Sequence, residues 1–212
     1  MEEQQKKLDI TKKLILEAAE IEFSEKGLYG ARVDEIALRA KINKGMIYQY
    51  FGNKEELYKV ALEAVYNRLG ESENKLICNN CSCIEEISEI IRMYFYFLKD
   101  NPAYVRMLMW ENLNYGKYFE EKSLGTSKNT IRTELDIIIA EGKNKGEIDE
   151  GIDGDHVFQT LVACSFNYFS NMYTLNKILD KDMLSEEYME DRINTVTKML
   201  IDYIKKKIIV QI

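Results

Sequence analysis

Proline is all but missing from this chain: Pro102 is the only one in 212 residues, and glycine is also scarce, at 11. Proline fixes φ and glycine supplies the positive φ of tight turns, so a chain poor in both has few enforced reversals and suits long helices. Histidine occurs once, as His156. There is no Gly-x-Ser-x-Gly elbow, no glycine-rich phosphate loop and no His-Glu-x-x-His pair, which leaves a helical enzyme only as an alternative without its usual parts. Asp153-Gly-Asp155 and Asp180-Lys-Asp182 lack the glycine and closing glutamate of a calcium loop. No apolar run approaches the roughly 18 residues that span a bilayer, and the opening MEEQQKKLDI lacks the apolar stretch of a signal peptide. The expected setting is the cytoplasm, with no membrane partner. There the four cysteines, Cys78, Cys81, Cys83 and Cys164, default to reduced thiols.

What is present is ordinary for a folded chain: 46% hydrophobic and 31% charged residues, values that exclude a disordered or fibrous class. A net charge of −7 argues on its own against a nucleic-acid partner. Its distribution argues otherwise. Residues 1–60 hold eleven basic and eleven acidic side chains, so everything beyond them carries the whole −7. Between 26 and 54, Lys26, Arg32, Arg39, Lys41, Lys44 and Lys54 meet only Asp34 and Glu35, a local +4. A cationic patch on an acidic body fits a phosphate-contacting module joined to something else.

Apolar residues at spacings of three and four predict an amphipathic helix over 11–26, with Gly27 as its stop, then short helices over 33–40 and 44–51 separated only by Lys41, Ile42 and Asn43. Asn43 can cap the third helix, and Asn53 with Glu56 opens a fourth that runs through Leu69. Two short helices on a tight turn, braced by longer ones, make a helix-turn-helix unit. After a polar and cysteine-rich stretch, helical patterns resume at 84–99, 103–114, 127–145, 154–178 and 186–208, with Ser185 as a cap for the last. The expected class is all-α: a helix-turn-helix domain over 1–53 and a helical domain over 54–212. The two long apolar helices at the end suit a bundle shared between subunits.

The residues Ile15-Leu16-Glu17-Ala18-Ala19, Phe23, Lys26-Gly27, Val33-Asp34-Glu35-Ile36-Ala37 and the run from Lys44 to Leu57 resemble the amino-terminal signature of the TetR family of bacterial transcription regulators. The resemblance covers about residues 11–60; beyond it only helix number and length are similar. It implies an Ω-shaped homodimer with two heads for a double-stranded DNA operator and a body for a small-molecule effector. It also implies groove contacts from Gly45 and Tyr48, with Gln49, Tyr50 and Lys54 touching base or backbone. The residues themselves suit those roles. Lys44 can meet a phosphate, Gly45 lets backbone and base edges approach, Met46 can meet a thymine methyl and Gln49 can read adenine. Lys54 opens a helix whose first N–H groups also accept phosphate. Two positions depart from the family. Lys41 replaces the usual turn glycine, and Ala31-Arg32 stand where Thr or Ser often opens the second helix, so Arg32 can supply a phosphate contact but not a cap.

The second domain is rich in aromatics. Tyr94, Phe97, Met107, Trp110, Glu111, Phe166, Phe169 and Tyr173 are the candidate walls of a cavity for an apolar or aromatic effector, Glu111 being placed to pair with a cationic one. An aromatic core with a dimer seam fits the same residues. Cys78-x-x-Cys81-x-Cys83 has the spacing of a thiolate metal or redox site but no nearby fourth ligand, so metal or redox sensing stands as an alternative and no metal or cofactor is expected.

Overall fold

The computed structural model describes residues 2–73, 81–119 and 131–206. The helices are α1 (Glu2–Gly30), α2 (Val33–Ala40), α3 (Lys44–Phe51), α4 (Lys54–Glu73), α5 (Cys83–Asp100), α6 (Pro102–Leu113), α7 (Ile131–Lys145), α8 (Gly154–Ser170), α9 (Met172–Leu179) and α10 (Glu186–Ile204). Among the described residues the only strand-like feature is one bridge between Ile148 and Lys205, so the class is all-α as the composition implies. None of these helices is long and apolar enough to cross a membrane.

Two compact units form. Of the described residues, the first takes 2–68 and 103–119, and the second takes 69–73, 81–102 and 131–206. The first unit is thus larger than the 1–53 segment. Its core explains why: Ile15, Ala19 and Phe23 recur at one face of α1 and are buried with Ile36, Ile47 and, from α4, Leu57, Tyr58 and Leu62. Full burial of each large apolar side chain contributes about 1.5–3 kcal/mol. Phe23 and Tyr58 meet edge to face at 5.1 Å.

Gly27 interrupts the helix where the sequence implies a stop. Its φ of 65° and ψ of 176° break the helical geometry, and one more turn follows to Gly30. The Trp110 ring covers this kink: a Cβ on Gly27 would come within 2.8 Å of Trp110 Cδ2, so only glycine fits. The indole N–H donates to the Ser24 carbonyl at 3.2 Å.

The three-residue turn and the expected caps are present. Asn43 accepts from the Gly45 N–H at 2.8 Å, Asn53 from Glu56 at 2.9 Å and Ser185 from Tyr188 at 3.4 Å. Lys41 takes the left-handed conformation that a glycine would adopt freely, with φ 54° and ψ 43°. A left-handed non-glycine residue costs roughly 1–2 kcal/mol, partly offset by glycine's greater freedom in the unfolded chain. Lys41→Gly is therefore expected to stabilise the first unit by about 0.5 kcal/mol, read as a rise in the urea midpoint.

In the second unit α5 packs against α7, α8 and α10. Ile87, Ile91 and Phe95 line its buried face with Leu135, Leu161, Met189 and Ile193. Phe95, Tyr168 and Phe169 meet edge to face. The Tyr168 hydroxyl donates to the Met183 carbonyl, and burial pushes its pKa up to about 12. The Glu190 carboxylate on α10 accepts from Arg92 at 2.7 Å and from Tyr96 at 2.6 Å, both on α5. The single helix expected over 154–178 is two. At Asn171 the side-chain amide donates to the Asn167 carbonyl at 3.3 Å and to the Ser170 hydroxyl at 3.0 Å, local bonds that compete with helix continuation.

Candidate nucleic-acid interface

The recognition candidate is α3, held by one buried anchor. Ile47 is 1% exposed, while Phe51 and Tyr50 are half-buried. The other face is turned to solvent: Lys44, Gly45, Gln49 and Tyr48 are exposed, Tyr48 by 42%, and Met46 is half-buried. Lys44 and Lys54 both have internal partners. Lys44 Nζ lies 2.8 Å from Asp34 Oδ1 at the start of α2. Lys54, half-buried, donates to the Ala31 carbonyl at 3.2 Å.

The missing cap of α2 is partly replaced from α1. Arg32 offers no side-chain cap, but its N–H donates at 3.2 Å to Glu22, a fully buried carboxylate. The same Oε1 accepts from Lys26 at 2.9 Å, and Oε2 faces Arg39 Nε at 3.8 Å without a hydrogen bond. Glu22 thus does from α1 what the third-position glutamate of a capping box does from within its own helix. Burial pushes its pKa up, yet the bonds from Lys26 and the Arg32 N–H, with the charges of Lys26 and Arg39, outweigh that and hold it below its ordinary 4.5. A depressed carboxyl pKa adds stability above the unfolded value that disappears as pH falls through the folded one. The first unit is accordingly expected to lose stability as pH drops below 4.5, and Glu22→Gln should flatten that loss in acid titrations followed by circular dichroism.

The eight candidate cavity residues are drawn from both units. Met107, Trp110 and Glu111 belong to the first unit, whereas Tyr94, Phe97, Phe166, Phe169 and Tyr173 belong to the second. Tyr94, Phe97 and Phe169 are buried, Phe166 is half-buried and Tyr173 is 61% exposed. Glu111 is no waiting counter-ion. It is buried, and its oxygens accept from the Tyr58 hydroxyl at 3.1 Å and from the N–H groups of Tyr118 and Phe119 at 2.5 and 2.9 Å. The carboxylate joins α4 to the turn after α6 and raises the Tyr58 pKa together with burial.

The expectation of reduced thiols fails at Cys81. Cys81 is disulfide-bonded, Cys83 and Cys164 are free, and Cys78 lies outside the described residues. Cys83 is buried, its N–H donates to Glu147 at 2.9 Å, and burial with the Glu147 charge pushes its thiol pKa up, the opposite of what a thiolate ligand needs. Among the described residues no group of three or more His, Cys, Asp or Glu can hold a metal ion, and His156 is exposed.

Two family models match. Residues 15–61 match "Bacterial regulatory proteins, tetR family", and residues 84–200 match "Tetracyclin repressor-like, C-terminal domain". The chain is 29% identical over 192 residues to the HTH-type transcriptional repressor NicS of Pseudomonas putida, covering 90% of this chain and 91% of that one. It is 30% identical over 155 residues to the HTH-type transcriptional repressor SCO4008 of Streptomyces coelicolor, covering 73% and 76%. Its fold is similar to the crystal structure of a TetR-family transcriptional regulator, HI0893, from Haemophilus influenzae, with a TM-score of 0.68 at 20% identity over 93% of this chain and 98% of that one.

Proposed function

The chain belongs to the TetR family of bacterial regulatory proteins, and from that premise we propose that it is a homodimeric repressor that leaves a palindromic operator when a small apolar or aromatic molecule binds its second unit. The observation that carries this reading is the solvent face of α3, where Lys44, Gly45, Met46, Tyr48 and Gln49 follow one another over the anchor Ile47 within a +4 stretch. Tyr50 and Lys54 flank that face. A helix presenting a tyrosine, a glutamine and a lysine over one turn suits the major groove, with phosphate contacts setting register and side chains on base edges setting sequence.

Repression is favoured over activation by NicS and SCO4008, relatives named as repressors. Regulators of this family are transcription factors and not enzymes, and this chain works by binding in the cytoplasm, where the DNA is. The effector site is proposed to lie at the mutually packed α5 and α8, where Tyr94, Phe97, Phe166 and Phe169 are uncharged aromatic residues.

Sequencing of random genomic fragments retained by the purified chain at near-physiological salt tests the reading. Enrichment of a palindrome with half-site centres about 34–36 Å apart, or a multiple, is the expected result. A folded dimer that retains no sequence in preference to another refutes it.

A further inference from the structure

Lys44 opens α3 and Asp34 lies in the first turn of α2, and the turn Lys41–Asn43 folds the two helices so that the ammonium and carboxylate meet at 2.8 Å. The pair is open to water, its side chains 44% and 57% exposed. The hydrogen bond and the opposite charges hold Lys44 above and Asp34 below their ordinary pKa values. Asp34 and Glu35 are the sole acids between residues 26 and 54, and Asp34 engages the first cation of the recognition helix.

Building on the DNA-binding reading, we infer that Asp34 is an affinity-setting residue, an internal stand-in for phosphate that Lys44 must leave before it can bind the DNA backbone. An exposed ion pair is easily exchanged, so the exchange is possible without unfolding anything. Its effect is twofold. Each Lys44–phosphate contact replaces a contact already made, and it leaves a carboxylate beside a polyanion. The pair as a whole therefore displaces almost no net counterion from DNA, whereas an unpaired lysine displaces about 0.9 per phosphate. Because Lys44 meets the backbone and not the bases, the restraint acts on operator and arbitrary DNA alike. It keeps a repressor releasable without altering what it reads.

The experiment is a double-mutant cycle on the full-length dimer, with Asp34→Asn, Lys44→Gln and both together, and with Glu35→Gln as a neighbouring charge control. Binding to the selected palindrome and to a scrambled duplex is followed by fluorescence anisotropy from about 50 to 200 mM salt. Asp34→Asn is expected to tighten both duplexes about fivefold and to steepen the slope of log affinity against log salt by about one per head. The gain should vanish in the Lys44→Gln background and be much smaller for Glu35→Gln. A gain that persists without Lys44, equals that of Glu35→Gln, or reverses into weaker binding overturns the inference. A wild-type chain that binds neither duplex at the lowest salt overturns the DNA reading itself, and the inference falls with it.

Discussion

Alanine at Tyr48 is expected to weaken operator binding by about 10²-fold or more at fixed salt, while binding to a scrambled duplex changes far less. A side chain on a base edge contributes roughly 1–3 kcal/mol per head, and a dimer places two heads on one operator. Folding should be unaffected. Tyr48 is 42% exposed and the anchoring of α3 is done by Ile47, so the substitution falls in the class of surface changes worth within about 0.5 kcal/mol. Tyr48→Phe divides the effect: retention of most affinity assigns it to the ring, and loss assigns it to the hydroxyl. The measurement is anisotropy on paired duplexes, with a urea midpoint in parallel. Equal losses on operator and scrambled DNA would place Tyr48 on the backbone and not in the groove.

The largest loss of stability is expected at Glu111. In Glu111→Ala the Tyr58 hydroxyl and the Tyr118 and Phe119 N–H groups lose their acceptor together. A buried donor left unsatisfied costs about 1–3 kcal/mol, so the variant should be destabilised by about 3–5 kcal/mol, a large part of the roughly 5–15 kcal/mol that keeps a domain folded. Glu111→Gln should cost less, since one oxygen still accepts while the amide turns a donor toward donors. Tyr58→Phe removes one hydrogen bond and leaves the two backbone bonds, so about 1 kcal/mol is expected there. Urea unfolding of the two single variants and the double variant measures the coupling. Full additivity would mean that the hydroxyl and the carboxylate do not share the work.

The local grammar of the first sixty residues is legible in the sequence. Helix spacing, the turn from Lys41 to Asn43 and the caps at Asn43 and Asn53 depend on neighbours within one or two turns, and each appears where its residues imply. Ser82 and Glu85 carry an equally local capping-box signal, and both halves of that box form. What was not legible depends on partners distant in the chain. Glu22 reads as a charged residue on an apolar helix face until Arg32, ten residues on, is folded back onto it. Glu111 reads as a ligand for a cation until Tyr58, 53 residues earlier, donates to it. Gly27 reads as a helix stop and does break the helical geometry, but the Trp110 ring packed over it is not legible from its neighbours in the chain. In the aromatic-rich body, composition alone could not divide core from cavity, since both need the same side chains.

The first unit is assembled from two stretches of chain, and this governs when it can exist. On a ribosome adding about 5–20 residues per second, α1 to α4 emerge first, with the kink at Gly27 uncovered and the Tyr58 hydroxyl without its carboxylate. Residues 69–102 must follow before Trp110 and Glu111 arrive. The head therefore closes late, after part of its neighbour has already been made. A fragment ending at residue 68, or a chimera joined there, would carry every residue named for DNA contact and still lack the pieces that complete its core.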